Sequence, residues 1–279
     1  MKLTQKLGIS YIQTKIKLIS LLSKRRAAEK VFQLFCTPFI KSKRTAEPNN
    51  AQQLKFTLNN LTVKGHRWNH PQQKKVLILH GFNSAAYKFD RYINPLVKKG
   101  YEVLSFDAPA HGHSGGTTTN AVEYSAMIAK VIELYGPINS FIAHSFGGIA
   151  ISLAMENLPH DVNTKIVLIA PATETTSAID GAFGMLKIKD TAVRKEMDKL
   201  IFERSGKQTE WFSVRRAVKN ITAQILWLHD EDDDITPLSD ALKVKEDNHN
   251  NINFVITKGL GHRKIYHDAA VKKAIENFL

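Results

Sequence analysis

The sequence predicts an α/β domain in which a mainly parallel central sheet is flanked by helices. Short, continuous apolar runs such as residues 74–82 and 138–146 end in turns, as is typical of strands that are buried on both faces of a parallel sheet. Stretches with helical spacing of apolar residues separate these runs. Because strands that alternate with helices are joined by right-handed crossovers, neighbouring strands are expected to be parallel. A chain of 279 residues is long enough for one large domain of this class.

The N-terminal part of the chain lies outside this alternation. Apolar residues recur at roughly helical spacing over residues 9–36, which predicts one or two helices that end near Pro38. Residues 41–53 are polar, so we expect a loop there. Residues 54–68 predict two short strands around an Asn-Asn pair, a hairpin-like entry to the sheet.

The remaining strands follow in order along the chain. They are expected at residues 74–82, 101–109, 138–146, 165–171, 223–230 and 251–259. Between the fourth and fifth of these runs, apolar residues have helical spacing instead, which predicts a helical cap that lines the substrate pocket. We therefore expect an N-terminal basic helical extension (1–53), a core (54–171 and 223–279) and a helical cap insertion (172–222).

The composition is that of an ordinary globular protein. Apolar residues make up 43% and charged residues 23% of the chain, and no run approaches the roughly 18 apolar residues of a membrane span. The first residues contain no clean apolar stretch followed by a cleavage site, so no secretory leader is expected. Cys36 is the only cysteine, which excludes an intramolecular disulfide and fits a reducing compartment. We expect a soluble, cytoplasmic protein.

The net charge of +13 is concentrated near the N-terminus. Residues 1–75 contain sixteen Lys and Arg residues against Glu29 and Glu47 alone. Such a segment can rest on anionic lipid or on an acidic partner. Its basic residues do not sort to one helical face, so a solvated extension docked on the domain is the simpler interpretation. Because the segment has no recognised nucleic-acid-binding motif, no nucleic-acid partner is expected.

The motif with the clearest chemistry is A-H-S-F-G-G at residues 143–148. It directly follows an apolar strand and opens a helix, the setting of a G-x-S-x-G nucleophile elbow, and here the chain resembles the α/β-hydrolase family. The elbow needs small residues so that helix and strand pass closely, and Ala143 is still small in place of the first glycine. A serine at an ordinary strand-to-helix turn is more often an N-cap, but both flanks and the strand favour Ser145 as a nucleophile.

The same resemblance implies an acid downstream of the nucleophile. In the family the order along the chain is nucleophile, acid, base, each at the carboxyl end of a strand. The loop that follows the strand at 223–230 resembles the acid loop, in which the acid stands four residues before a proline, and this selects Asp233. Asp230, Asp232 and Asp234 are rivals, because an acidic run is more often solvated or turn-forming than catalytic.

The base is expected after the last strand. Residues 259–263, G-L-G-H-R, resemble the glycine-flanked histidine of the family, and the glycines permit a tight loop that brings the imidazole over the serine. His262 is therefore the predicted general base. His267 lies close by in the sequence but lacks this glycine setting.

A tetrahedral intermediate of acyl transfer needs two preorganised N–H donors for its oxyanion. One donor is expected to be the backbone amide of Phe146, directly after the nucleophile. The resemblance assigns the other to the amide of Phe82, which follows the His80-Gly81 pair at the end of the first buried strand.

Other chemistry-bearing residues have weaker functional interpretations. Residues 107–116 resemble the family loop after the next strand, whose histidine and serine hold the loop in place. The side chains of Asp107, His111, His113 and His144 lack a zinc-ligand spacing, and residues 146–148 match no phosphate-binding pattern. We expect neither a metal nor a cofactor.

The resemblance, which covers about residues 54–279, implies hydrolysis of a small-molecule carboxylic ester through an acyl-enzyme. A thioesterase or amidase of the same fold remains an alternative, because substrate class does not follow from fold. Serine at the elbow argues against haloalkane dehalogenases and most epoxide hydrolases, which carry Asp there. Two further alternatives are a catalytically silent small-molecule binding protein and a peripheral membrane protein, led by the basic N-terminus, that hydrolyses lipid-like esters.

Overall fold

A computed structural model describes residues 3–279, with side chains from residue 8 onward. Its strands form one sheet in the order β1-β2-β4-β3-β5-β6-β7-β8. The strands are β1 (Ala51–Leu58), β2 (Leu61–Trp68), β3 (Lys75–Leu79), β4 (Glu102–Phe106), β5 (Ser140–His144), β6 (Lys165–Ile169), β7 (Gln224–Asp230) and β8 (Ile252–Thr257). β2 pairs antiparallel with β1 and with β4, and all other neighbours are parallel. The prediction of a mainly parallel central sheet is confirmed.

The helices of the described residues are α1 (Leu3–Leu22), α2 (Lys24–Phe35), α3 (Ile93–Lys98), α4 (Ala121–Tyr135), α5 (Phe146–Met155), α6 (Thr175–Met185), α7 (Thr191–Ser205), α8 (Val214–Ala217), α9 (Leu238–Glu246), α10 (Gly261–Lys264) and α11 (Ala269–Phe278). Short 3₁₀ turns occur at Ala86–Tyr92, Thr209–Trp211, Val218–Asn220 and Ile265–His267. The N-terminal helices and the helical character of residues 172–222 agree with the prediction.

The entry hairpin forms where the Asn pair indicated it. Asn59 and Asn60 have φ angles of 47° and 63°, and Leu58 pairs with Leu61 across the turn. Two consecutive left-handed residues are characteristic of a two-residue hairpin turn, and Asn tolerates this conformation better than most side chains. β1 begins at Ala51, inside the segment expected to be a loop, because the antiparallel register with β2 continues to Trp68.

Helices α9 and α11 had no counterpart in the sequence prediction. Both have a buried apolar stripe at helical spacing, with Ala241 and Val244 in α9 and Val271 and Ile275 in α11. Asp268 caps α11, since its carboxylate accepts a hydrogen bond from the backbone N–H of Val271 at 2.9 Å. The periodicity and the cap were both visible in the sequence.

The contacts of the chain define two units, and the larger one, Pro38–Thr173 with Ser213–Leu279, contains the sheet. Alternate residues of its strands, such as Val76 and Ile78 of β3, point into one apolar cluster together with Phe89, Leu96 and Ile275. Because side chains alternate between the faces of a strand, Leu77 and Leu79, which are also fully buried, lie on the opposite face. The parallel strands are thus covered on both sides, as their uninterrupted apolar runs predicted.

The smaller unit combines Met1–Thr37 with Glu174–Phe212. In it α2 packs against α7, and both helices bury apolar side chains: Ala27, Ala28, Val31, Val193, Met197 and Leu200. Ion pairs add to this packing, with Lys24 at 2.5 Å from Asp190 and Arg25 at 2.5 Å from Glu203. The division into an extension, a core and a cap over the ranges given above stays a prediction.

Candidate active site

Ser145 lies in the turn between the last residue of β5 and the first of α5. Its φ and ψ angles are 53° and −115°, a conformation that a residue with a side chain rarely adopts. Three hydrogen bonds hold it there. The Ser145 N–H donates to the carbonyl of Ile169 at 3.0 Å, and its own carbonyl accepts from the amides of Gly148 at 2.9 Å and Ala172 at 3.0 Å. The strain at the turn is thus fixed by the surrounding backbone.

The small residues of the motif are required by close packing behind the serine. A Cβ atom on Gly147 would lie 2.8 Å from the carbonyl oxygen of Leu79, and one on Gly148 would lie 2.6 Å from the side chain of Pro171. Ala143, in place of the first glycine of the pattern, is fully buried in β5. The helix therefore approaches the sheet at a distance that larger residues would prevent.

A chain of hydrogen bonds joins the three side chains predicted to be catalytic. The Ser145 Oγ is 3.0 Å from Nε2 of His262, and Nδ1 of the same imidazole is 2.8 Å from Oδ2 of Asp233. All three residues are buried. The structure thus brings Ser145, His262 and Asp233 into contact from the segments that follow β5, β8 and β7 at the carboxyl edge of the sheet.

The Asp233 carboxylate is held by donors other than the imidazole. Its Oδ1 accepts from the backbone amides of Ile235 at 2.9 Å and Thr236 at 2.8 Å, and its Oδ2 accepts from the Thr236 hydroxyl at 2.8 Å. Burial alone would raise the pKa of Asp233, but the hydrogen bonds and charge of His262 and the two amides lower it below its ordinary value. The carboxylate is therefore ionised, and it accepts the Nδ1 proton of His262.

The rival aspartates have other positions. Asp234 is exposed, and Asp232 accepts the backbone N–H of Gly259 through Oδ2 at 3.0 Å. Asp230 is fully buried and accepts from the Thr257 hydroxyl at 2.7 Å and from the Gly261 amide at 2.8 Å. Burial raises the pKa of Asp230, but these donors together lower it. Asp230 and Asp232 thus tie the loop of residues 231–234 to the loop that carries the histidine.

The glycines beside the histidine have backbone angles that favour glycine. Gly259 and Gly261 have φ angles of 85° and 58°, which side-chain-bearing residues rarely adopt, and His262 is the second residue of the short helix α10. The ring of His267 packs against Tyr266, with ring centroids 4.2 Å apart. Of the two histidines, His262 is the one in hydrogen-bond contact with Ser145.

The loop expected to supply an oxyanion donor lies against Ser145. A Cβ atom on Gly81 would be 3.0 Å from the Cβ of Ser145. The buried ring of His80 donates from Nδ1 to the Gly81 carbonyl at 2.8 Å and accepts the Ala108 amide at Nε2 at 3.0 Å. Because C=O and N–H point in opposite directions across a trans peptide, the Phe82 N–H points away from His80. Within residues 3–279, the amides of Phe82 and Phe146 have no hydrogen-bond acceptor.

Sequence reasoning missed a set of three buried histidines, His80, His144 and His229, that stand behind the site. Each donates a ring N–H to a backbone carbonyl of a functional loop. His80 bonds the Gly81 carbonyl, His144 Nε2 is 3.1 Å from the carbonyl of His262, and His229 Nε2 is 2.8 Å from that of Thr236. Burial lowers the pKa of all three, that of His144 to about 3, so each ring is neutral with one donor nitrogen.

A sequence signal for this set was present. Each of these histidines stands at the end of an apolar strand run, as in VLILH, FIAH and ILWLH. A histidine that continues a fully apolar run is expected to be buried, and a buried histidine needs a hydrogen-bond partner. In the sequence, His144 had stood out only as a candidate metal ligand. Among the described residues, no group of three His, Cys, Asp or Glu side chains is arranged to hold a metal ion.

The loop of residues 107–116 has the holding contacts that the resemblance implied. The Asp107 carboxylate accepts the amides of Ala86 and His113, both at 2.9 Å. Ser114 donates to the Asp107 carbonyl at 2.6 Å, and His111 contacts the Pro109 carbonyl through Nδ1 at 2.9 Å. Burial of His111 lowers its pKa to about 3, so it too is neutral. These side chains fix the loop.

With this geometry in place, comparisons with known proteins decide the family. The family model described as serine aminopeptidase, S33, matches residues 70–208, which include the nucleophile elbow and the loop before Phe82. The fold matches solved hydrolase structures over most of the chain. The chain belongs to the α/β-hydrolase family. The resemblance inferred from the elbow is thereby confirmed.

Individual α/β-hydrolases similar to this chain are distant. The uncharacterized hydrolase YugF of Bacillus subtilis is 27% identical over 120 residues, 41% of this chain and 43% of that protein. The human Serine hydrolase-like protein 2 is 24% identical over 181 residues, 63% of this chain and 56% of that protein. The matched segments therefore span less than two thirds of either relative. The Pyrococcus furiosus esterase Pf2001 superposes with a TM-score of 0.64 at 20% identity, covering 86% of this chain and 96% of that one, which shows the shared fold.

Proposed function

We propose that this α/β-hydrolase cleaves a carboxylic ester through an acyl-enzyme formed on Ser145. The observation that carries the proposal is the unbroken path from Ser145 Oγ through both nitrogens of His262 to Asp233, with steps of 3.0 and 2.8 Å. An ionised carboxylate that accepts the Nδ1 proton leaves Nε2 unprotonated. Nε2 is then ready to accept the proton of the serine hydroxyl.

The chemistry balances with these three side chains and water. Ser145 Oγ attacks the ester carbonyl carbon while His262 Nε2 takes its proton, which gives a tetrahedral oxyanion. As the carbon–oxygen bond to the alcohol breaks, His262 returns that proton to the leaving oxygen. Water then repeats the sequence on the acyl-enzyme, with His262 as base, and releases the acid and the free serine.

Two amides are suited to the oxyanion. Those of Phe146, at the first residue of α5, and of Phe82, in the loop against Ser145, lack an acceptor among residues 3–279. N–H groups in the first turn of a helix have no partner within the helix and favour a nearby negative charge. His80 fixes the orientation of the Gly81–Phe82 peptide, so this donor needs no reorganisation during the reaction.

An apolar acyl group suits the side chains around the nucleophile. The rings of Phe82 and Phe146 meet edge to face with centroids 5.3 Å apart, and Tyr124 lies 5.4 Å from Phe146. Both Phe residues are partly exposed beside Ser145. They offer a hydrocarbon surface and no charge, which favours a neutral ester over a charged acyl group.

The test is turnover of p-nitrophenyl esters from acetate to palmitate by wild type and Ser145→Ala, with intact-mass detection of a fluorophosphonate adduct. We expect adduct formation and turnover in the wild type and a fall of about 10⁶-fold in kcat for Ser145→Ala. Wild type that is folded by circular dichroism yet neither turns over nor forms the adduct would contradict the enzyme and leave a small-molecule binding role. Preference for a long acyl chain would size the apolar surface.

An amide substrate is the second candidate, because the matching family model is described as serine aminopeptidase. Hydrolysis of an amide or thioester uses the same steps with nitrogen or sulfur as the leaving atom. Amino-acid p-nitroanilides assayed beside the esters separate the two. A kcat/KM for an anilide above that of every ester would replace the ester proposal.

A cytoplasmic location, which rests on the single cysteine, remains part of the proposal.

A further inference from the structure

Helix α1 turns large apolar side chains outward. Tyr11, Leu18, Leu21 and Leu22 are exposed by 67, 59, 73 and 88%. At about 100° per residue these four positions lie on one side of the helix, within an arc of about 100°. Ile16 and Ser20, on the opposite side, are buried. We call the four exposed residues the α1 stripe.

Unpaired positive charge borders the α1 stripe. Lys15 and Lys17 are exposed on either side of it, and neither forms an ion pair with any residue of the described chain. Helix α1 contains no acidic residue. The next helix differs, because Lys24 and Arg25 pair with Asp190 and Glu203. Two of the basic residues near the N-terminus are thus neutralised within the smaller unit, whereas the two lysines beside the α1 stripe have no carboxylate partner among the described residues.

We propose that the α1 stripe docks the protein on an anionic lipid bilayer, with the helix lying in the interface. Apolar side chains at the boundary of the acyl chains and lysines at the level of the headgroups are the combination that holds a helix at a membrane surface. Between residues 3 and 279, no helix combines the length and apolar character needed to traverse a bilayer. The inference is independent of the hydrolase chemistry, since it uses no residue of the site.

Charge argues for lipid over a second copy of the chain. A symmetric dimer places the same patch of both copies face to face. Pairing through the α1 stripe would bring Lys15 and Lys17 against their own copies with no acidic residue of α1 to offset them. Like charges juxtaposed at an interface disfavour association. Phosphate headgroups present the opposite charge and complement both lysines.

The experiment is co-sedimentation of the full chain with phosphatidylcholine vesicles prepared with and without phosphatidylglycerol, at low and high salt. We expect binding to the anionic vesicles that salt weakens, and little binding to the neutral ones. Replacing the stripe leucines together (Leu18→Ser, Leu21→Ser, Leu22→Ser) should lower the partition coefficient by more than about 100-fold. The pair Lys15→Gln, Lys17→Gln should lower it by about 30-fold and reduce its salt dependence.

Matched controls separate this surface from general stickiness. The pair Leu134→Ser, Val162→Ser removes apolar side chains that are 45 and 62% exposed in the larger unit. The pair Lys55→Gln, Lys64→Gln removes the same charge from exposed positions of the entry hairpin. Both should bind vesicles like wild type, and circular dichroism should show every variant folded.

Three outcomes would overturn the proposal: no binding of wild type to anionic vesicles at low salt, equal loss in the control variants, or unchanged binding after the stripe substitutions. Light scattering with size-exclusion chromatography tests whether a second copy of the chain binds the α1 stripe instead of lipid. If wild type is a dimer and the stripe substitutions make it a monomer, the α1 stripe is a self-association surface and the lipid proposal is wrong. Ester turnover measured on the same samples reports the hydrolase proposal separately.

Discussion

The carboxyl edge of the sheet buries polar side chains, whereas the outer face of α1 exposes apolar ones. At the sheet edge, Asp233, His262 and Ser145 are buried and each is held by several hydrogen bonds. On α1, leucines lie in solvent and two lysines have no carboxylate partner among the described residues. The polar side chains at the sheet edge have their hydrogen-bond partners within the protein. The exposed leucines and lysines of α1 are instead suited to a partner outside the chain.

The difference teaches what each region needs in order to act. Catalysis requires groups that are fixed before substrate arrives, and the buried histidines behind the site supply that support. Docking on a fluid surface requires no fixed geometry, only exposed apolar area and charge of the right sign. Substitutions should therefore change turnover steeply at the sheet edge and have almost no effect on the protein alone at α1.

The sharpest contrast is between neighbouring aspartates in one loop. Asp233→Asn keeps the shape but removes the charge that orients and stabilises His262, so kcat should fall by about 10⁴-fold. Asp234→Asn, one residue on and exposed, should stay within about 2-fold of wild type. Steady-state ester kinetics measure both. Equal activities would remove Asp233 from its proposed role.

Most of the side chains at the sheet edge were predicted from the sequence, but the buried histidines that hold their loops were not. Ser145, Asp233 and His262 were predicted because glycines, strand ends and chain order mark them. The buried histidines escaped because their partners are backbone carbonyls of loops distant in sequence, such as His144 with His262, 118 residues apart. The α1 stripe was not predicted because α1 has apolar residues on two sides. Helical periodicity alone does not determine which of the two sides packs against the rest of the protein.

A smaller loss of activity is expected at His144, which positions His262 through its backbone carbonyl and lies ring against ring with it at 4.8 Å. His144→Phe removes the N–H donor, and a slightly displaced base should lower kcat by about 10-fold to 100-fold with little change in KM. His144→Gln retains an N–H and should recover part of the loss.

The matched control is His267→Phe, because His267 lies close to His262 in the sequence and its ring is outside the hydrogen-bonded set. It should leave kcat unchanged. The hydrogen bond to the His262 carbonyl does not position the base if His144→Phe and His267→Phe have the same kcat. The same conclusion follows if the kcat of His144→Gln is no higher than that of His144→Phe. A fall in KM alone would likewise contradict the positioning role.

The buried histidines should also shape stability against pH. Burial holds the pKa of His144 at about 3, against 6.5 for the free side chain, so between these values the unfolded chain binds a proton that the folded chain does not. For His144 no stability is lost above pH 6.5, and stability falls as the pH drops from 6.5 toward 3, by up to about 1.4 kcal/mol per pH unit. His80 and His229, whose pKa values burial also lowers, add losses of the same sign. Urea unfolding at several pH values measures this slope.

Replacing His144 tests how much of this pH dependence of stability comes from that one side chain. His144→Phe should unfold with a shallower dependence between about pH 4 and pH 6.5, because one titrating group is gone. Below this window the carboxylates of Asp230 and Asp233, whose pKa values are lowered, add their own acid-side loss in both proteins. An unchanged slope in the window would mean that His144 is protonated in the folded state.

The smallest effect is expected on α1. The substitutions Leu18→Ser, Leu21→Ser and Leu22→Ser remove side chains that are more than half exposed, so each should change the free energy of unfolding by no more than about 0.5 kcal/mol. Ile16→Ser, on the buried side of the same helix, serves as the comparison and should destabilise by several times as much, since it is 1% exposed. Thermal unfolding of the four variants without lipid provides the test. A large loss at the outer leucines would mean that they are covered within the protein, and the apolar area available to a bilayer would disappear with that finding.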